Sequence, residues 1–324
     1  MISNLQFLRA FASINVVYFH TLIGSESYGK STNIFQTLGG WGANGVDIFF
    51  VISGFVMIYS QIHNPKKIYE FYISRLIRIV PVYWLITIFL VTLYYLLPEI
   101  FKSFSLDLKK IISSLFFVSQ IITSEFPVIN VGWTLEWEIL FYLIFGLSLY
   151  FKDIKKTIIS IFFFMMLIFL FTEKLLFLEF FVGVLIGYVH NKIKLSYLNG
   201  LIILIIGIIF LFLSLSSYIV AIELDRFFIW GIPSAFIVMG AVYCKPVKNS
   251  FLFYLGNASY SIYLVQILTV PGFYKFINYF KIEINNDLLS ILCLFSSVIF
   301  GCFFYSFVEK NLKINKKVTK EINS

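Results

Sequence analysis

Phe7-Leu-Arg9-Ala-Phe-Ala-Ser-Ile-Asn-Val-Val-Tyr-Phe-His20-Thr-Leu-Ile23 is an apolar run of membrane-spanning length that carries two ionisable side chains. A charge at membrane depth costs several kcal/mol unless it faces a protein interior or a watery cavity, so Arg9 and His20 are functional-site candidates. Eleven residues at about 100° each come to about three turns plus 20°, which predicts both side chains on one helix face, roughly 16 Å apart along the axis. A positive-inside arginine and a structural histidine fit the same two residues.

Composition places this run in its context. Apolar residues make up 60% of the 324-residue chain, charged residues 13%, and mean hydropathy is +0.90. An ordinary soluble domain has about 25% charged residues. The chain reads as an all-α, polytopic membrane protein. Its net charge of +8 comes from basic residues in short segments between apolar runs, which argues for cytoplasmic loops and against nucleic acid. The first run lacks a Lys/Arg-rich leader and an A-x-A site and is expected to stay in the mature protein. Cys244, Cys293 and Cys302 lie in or beside apolar runs and read as packing residues, with no disulfide or metal framework.

Apolar runs predict about ten transmembrane helices, over 7–23, 44–61, 79–97, 133–151, 157–172, 175–190, 200–220, 227–244, 251–273 and 288–308. The pair 157–172 and 175–190 fits a tight hairpin or a re-entrant element. With N- and C-termini in the cytoplasm, the inner segments hold 17 of the 25 Lys and Arg residues. The outer segment 98–132 is the exception, with Lys102, Lys109 and Lys110 and an amphipathic surface helix beginning at Leu108. Residues 1–310 form one transmembrane domain, and 311–324 a short basic tail expected to fray.

This orientation brings Asp47, Glu136, Glu138 and His20 towards the outer leaflet. Arg75 and Arg78 stand on the cytoplasmic approach to the third helix, both guanidiniums on one face. Paired guanidiniums suit a phosphate-bearing molecule, and a His with a carboxylate partner suits removal of a proton from a hydroxyl. Lipid-phosphate anchoring fits Arg75 and Arg78 as well, and helix capping fits Asp47 and Glu138.

Six stretches in chain order carry a family resemblance. They are Leu5-Gln-Phe-Leu-Arg9 with His20 eleven residues on, Gly45-Val-Asp47-Ile-Phe-Phe-Val-Ile-Ser-Gly54-Phe, Phe71-Tyr-Ile-Ser-Arg75-Leu-Ile-Arg78-Ile-Val-Pro81-Val-Tyr83-Trp84, Gly132-Trp133-Thr-Leu-Glu-Trp-Glu138-Ile-Leu-Phe-Tyr142, Phe177-Leu-Glu179-Phe-Phe-Val-Gly183 and Leu255-Gly-Asn-Ala-Ser259-Tyr-Ser-Ile-Tyr263-Leu. The chain resembles the acyltransferase 3 family of integral-membrane acyltransferases, especially the short exopolysaccharide-type O-acetyltransferases without a fused soluble domain. It departs from many relatives at Gln266, where they have His, and at Asn311, where they have Pro.

The resemblance implies transfer of an acetyl group from cytoplasmic acetyl-CoA, with no metal, to a hydroxyl of a cell-surface or lipid-linked glycan, at the bacterial cytoplasmic membrane. It implies Arg9, His20, Asp47 and Glu138 as catalytic positions and Arg75 and Arg78 as the donor site. On this reading His20 is the general base, oriented by Asp47 or Glu138, or it carries the acetyl group covalently. Arg9 stabilises developing negative charge or fixes the pantetheine path. Trp133 and Tyr142 are candidates for packing on a sugar or donor, and ordinary core or lipid-facing roles fit them too. A transporter or flippase of lipid-linked saccharides, or a silent receptor on the same fold, would also use a bundle with buried charges.

Overall fold

A computed structural model describes residues 2–33, 40–101, 105–215 and 224–312. All regular structure among them is helical. The helices are α1 Ser3–Ser27, α2 Gly45–His63, α3 Ile68–Leu96, α4 Leu108–Leu115, α5 Ser119–Ile122, α6 Trp133–Ser148, α7 Ile154–Thr172, α8 Leu178–Lys192, α9 Tyr197–Leu213, α10 Ile232–Tyr243, α11 Ser250–Tyr279 and α12 Asn286–Phe304. A π-helical turn, Phe227–Gly231, leads into α10, and another, Tyr305–Glu309, follows α12. With their flanking turns, eight of these helices are long and apolar enough to cross a membrane, and α9 and the Phe227–Tyr243 helix are shorter apolar ones. The last residues of the expected 200–220 helix, the tail from 313 on and Lys102 lie outside the described residues.

The largest revision concerns α3, which begins at Ile68 rather than near 79. Glu70 reaches back to the Lys67 backbone N–H at 3.2 Å, satisfying a donor at the first turn, and the helix then runs on through Ser74, Arg75 and Arg78. Hydropathy alone misses these turns because their polar residues interrupt the apolar run. Arg75 and Arg78 are therefore inside the helix, and with Arg9 they do not belong among the loop charges. The two short candidate spans form a tight hairpin, with Glu173 in the left-handed conformation (φ 56°) closing α7 before Leu175 starts the next turn. The amphipathic helix at Leu108 is present as α4, capped by Asp107 accepting from the Lys110 N–H at 2.7 Å.

Packing is organised around α1, which contacts α2, α10, α11 and α12. It buries Asn4, Ser13, Asn15, Thr21 and Ser25 among its apolar residues, each hydrogen-bonded: Asn15, for instance, donates to the Asn44 side chain at 2.9 Å. By contrast, α7 turns Phe162, Phe163, Leu170 and Phe171 outward, as a helix facing lipid does. The closest approach is between α2 and α8. A side chain at Gly54 would overlap the Phe180 carbonyl, and one at Gly183 would overlap the Val51 carbonyl, so the two backbones touch through facing glycines. One end of the bundle, the basic end, gathers Asn4, His63, His190 and the Lys245 backbone. Tyr28, Asn278 and Asn286 mark the far end.

Candidate active site

Two cavities adjoin within the bundle. The proximal one, nearer the basic end, is a narrow space of about 60 Å³ whose lining includes Arg9, Ser53, Arg78, Glu138, Ser259 and Tyr260. The distal one, about 570 Å³, holds His20, Gln120, Asn130, Trp133, Asp225 and Arg226 on its wall. Val46 and Tyr263 line both. Tyr263 is fixed there: its hydroxyl donates to the Val131 carbonyl at 2.8 Å and lies 2.7 Å from the Thr134 hydroxyl, while Phe49 meets its ring edge-on. Gln266, one of the departures from the family pattern, donates to the Tyr263 carbonyl at 2.8 Å.

The proximal cavity is rich in guanidinium. The Arg9 Nε donates to the Ser259 hydroxyl at 3.3 Å, tying α1 to α11. Arg78 lines the same space, and Arg75, just outside its wall, stands 5.9 Å from the ring centres of Phe71 and Tyr142. Tyr142 donates to Glu138, which also accepts from Ser53 at 3.0 Å. Glu309, held by Ser261, acts electrostatically on Arg9 and Arg78. Three guanidiniums thus face two carboxylates, an excess of positive charge suited to an anion.

In the distal cavity the imidazole is oriented by its own helix. The His20 Nδ1 lies 3.2 Å from the Val16 carbonyl oxygen. A carbonyl only accepts, so in the neutral ring this bond puts the proton on Nδ1 and leaves Nε2 with its lone pair. Neither Asp47 nor Glu138 takes the orienting role expected of them. Asp47 is fully buried and gripped by Arg226, with Nε donating to Oδ1 at 2.9 Å and Nη2 to Oδ2 at 2.7 Å. Glu138 lies on the proximal side with Arg78. Glu136 caps α5, accepting the backbone N–H groups of Ser119 and Gln120 at 2.9 and 3.0 Å.

The structure therefore distributes the sequence candidates over two levels. Arg9, Arg78, Glu138 and Tyr142 cluster on one side of the Val46–Tyr263 partition with Arg75 beside them, and His20 and Trp133 stand on the other. Asp47 belongs with the distal group through Arg226. That arginine was missed because it counted as one more outer-loop cation. Its signal is its place: an arginine opening an apolar run, at the edge that the loop-charge bias would assign to the outside, calls for a buried partner.

An all-helical membrane bundle that holds guanidiniums, carboxylates and an imidazole with a free ring nitrogen in adjoining cavities has the make-up of a membrane-embedded enzyme. The chain belongs to the acyltransferase 3 family, whose profile, an acyltransferase domain, matches residues 2–307. Its long apolar helices make it an integral-membrane member of that family. It is similar to the exopolysaccharide production protein ExoZ of Rhizobium meliloti (strain 1021), being 44% identical over 112 residues, 34% of this chain and 35% of that protein. The chain thus matches about a third of that relative's length. No solved structure matches it.

Proposed function

We propose that the protein transfers an acetyl group from acetyl-CoA, entering from the cytoplasmic face of the bacterial inner membrane, to a hydroxyl of an extracytoplasmic or lipid-linked glycan. The observation that carries this reading is the stacking of a guanidinium-lined cavity and a histidine-lined cavity across one partition. The narrow proximal space suits a thin arm such as pantetheine, with the CoA phosphates met by Arg75 and Arg78. The distal space falls in the range of roughly 300–1,000 Å³ usual for small-ligand sites, and mixes Trp133 and Phe126 with Asn130 and Gln120, whose Oε1 is buried without a protein partner. Aromatic faces and unpaired amides suit a saccharide. The similarity to an exopolysaccharide production protein points the same way.

His20 then acts as general base on the acceptor hydroxyl through Nε2, and the thioester reaches it past Val46 and Tyr263. A transporter reading gives no reason for a guanidinium cluster to adjoin a histidine-lined cavity, whereas acyl transfer uses both. The reading is tested by mass spectrometry of surface glycan with and without the gene: one acetyl group per modified residue is expected to disappear, and an unchanged glycan would overturn it.

Donor binding gives a second test. Arg75→Lys and Arg78→Lys keep the charge but lose the planar fork, so the apparent KM for acetyl-CoA is expected to rise about tenfold, the equivalent of about 1.4 kcal/mol, in membranes that still contain folded protein. Silent substitutions would leave these arginines structural.

Orientation is tested directly. Ser31 and Lys67 are both exposed, at the far and basic ends respectively. In a chain lacking Cys244, Cys293 and Cys302, a cysteine at Ser31 is expected to react with an impermeant thiol reagent on intact cells, and one at Lys67 only after the membrane is opened. The reverse pattern would place Arg75 and Arg78 on the side without CoA.

A further inference from the structure

Negative charge develops on the acyl oxygen when a thioester is attacked, and a site that speeds the step needs a fixed donor beside the base. Arg9, the arginine of the first helix, lies across the partition from His20 with its Nε on Ser259. The guanidinium that shares the His20 cavity is Arg226. Its Nε and Nη2 are used by Asp47, and Nη2 also donates to the Ala43 carbonyl at 2.7 Å. Among the described residues, Nη1 has no partner. The group is held from several directions, by the fork-to-fork grip of a fully buried carboxylate and by the rings of Trp230 and Trp133, with centres 4.9 and 6.0 Å from the guanidinium carbon. A cation immobilised in this way, with two N–H groups unused, is prepared to receive an oxyanion without reorganising.

We propose that Arg226 is a further catalytic residue of this enzyme, its Nη1 hydrogen-bonding the acyl oxygen during transfer, and that Asp47 is a positioning residue acting through it. The inference rests on the acetyl-transfer reading above. In the step, the acceptor oxygen bonds to the acyl carbon while His20 Nε2 takes the hydroxyl proton, and the carbonyl electron pair moves onto the acyl oxygen facing Arg226. Collapse restores the C=O bond and breaks the C–S bond, and the proton on His20 passes to the departing sulfur. The products are the ester and the free thiol of CoA.

The test uses membrane vesicles from the native host, with their own glycan, and radiolabelled acetyl-CoA. Arg226→Ala is expected to lower kcat about 10²–10³-fold, the cost of removing one oxyanion donor, with the KM for acetyl-CoA within about twofold. Guanidinium chloride at low millimolar concentration is expected to restore part of the lost rate, an effect that a merely structural role would not produce. Should the alanine variant fail to fold, Arg226→Lys retains an ion pair with Asp47 but cannot serve carboxylate and acyl oxygen together, and is expected to show the same loss of kcat with normal KM. Near-normal kcat in either folded variant, or a folded alanine variant that guanidinium does not rescue, would overturn the inference and leave the acetyl-transfer reading standing. Wild-type vesicles that incorporate no acetyl group would overturn both.

Discussion

Membranes carrying His20→Ala are expected to incorporate acetyl groups at least about 100-fold more slowly than wild type, the usual effect of losing a general base, while the variant remains folded. The expectation follows from one bond. The Val16 carbonyl holds the proton on Nδ1 and presents the Nε2 lone pair to the distal cavity, and no other imidazole lines either cavity. Alanine removes that lone pair and leaves the helix intact, because the ring bonds only to its own backbone and packs edge-on against Phe19. The same loss is expected if Nε2 attacks the thioester itself, and then acid-quenched wild-type protein would carry labelled acetyl on His20. Turnover within a few-fold of wild type would remove His20 from the chemistry.

Much of this architecture was legible in the sequence because lipid imposes a length. Among the described residues each apolar run forms a helix, and even the short Thr172-Glu-Lys174 break is enough for a hairpin because Glu173 takes the left-handed turn. Helix edges are less legible where polar residues interrupt an apolar run: the first turns of α3 carry Ser74, Arg75 and Arg78, and Arg78 lines the proximal cavity rather than a loop. The site shows the same division. Angular spacing put Arg9 and His20 on one face of α1, but it carries no information about Val46 from α2 and Tyr263 from α11, which come between them. Asp47 looked like a partner for His20 because both lay towards the outer leaflet. Its actual partner is 179 positions away in the chain, and nothing in the periodicity of either segment connects them. Local pattern thus located the charges, and only the fold paired them.

Replacing Gly54 by alanine is expected to cost the protein more stability than the 1–3 kcal/mol or so of ordinary core overpacking. Overpacked side chains can usually rotate away. Here the added methyl meets the Phe180 carbonyl of α8, and one residue pair along the same seam the Gly183 position meets the Val51 carbonyl of α2, so only a separation of the two helices relieves the overlap. That separation would reach both cavities. Ser53, the neighbour of Gly54, donates to Glu138, and Asp47 on the same helix grips Arg226 beside Glu179 of α8. The expected result is a lower temperature at which detergent-extracted protein loses its monodisperse state, together with reduced acetyl transfer in membranes, and Gly183→Ala is expected to behave alike. Gly272 is the internal control. It is also helical, but a methyl there meets nothing within 4 Å, so Gly272→Ala should be neutral or stabilising by about 0.5–1 kcal/mol. If Gly54→Ala and Gly272→Ala melted together, contact between the α2 and α8 backbones could not be what sets the geometry of the site.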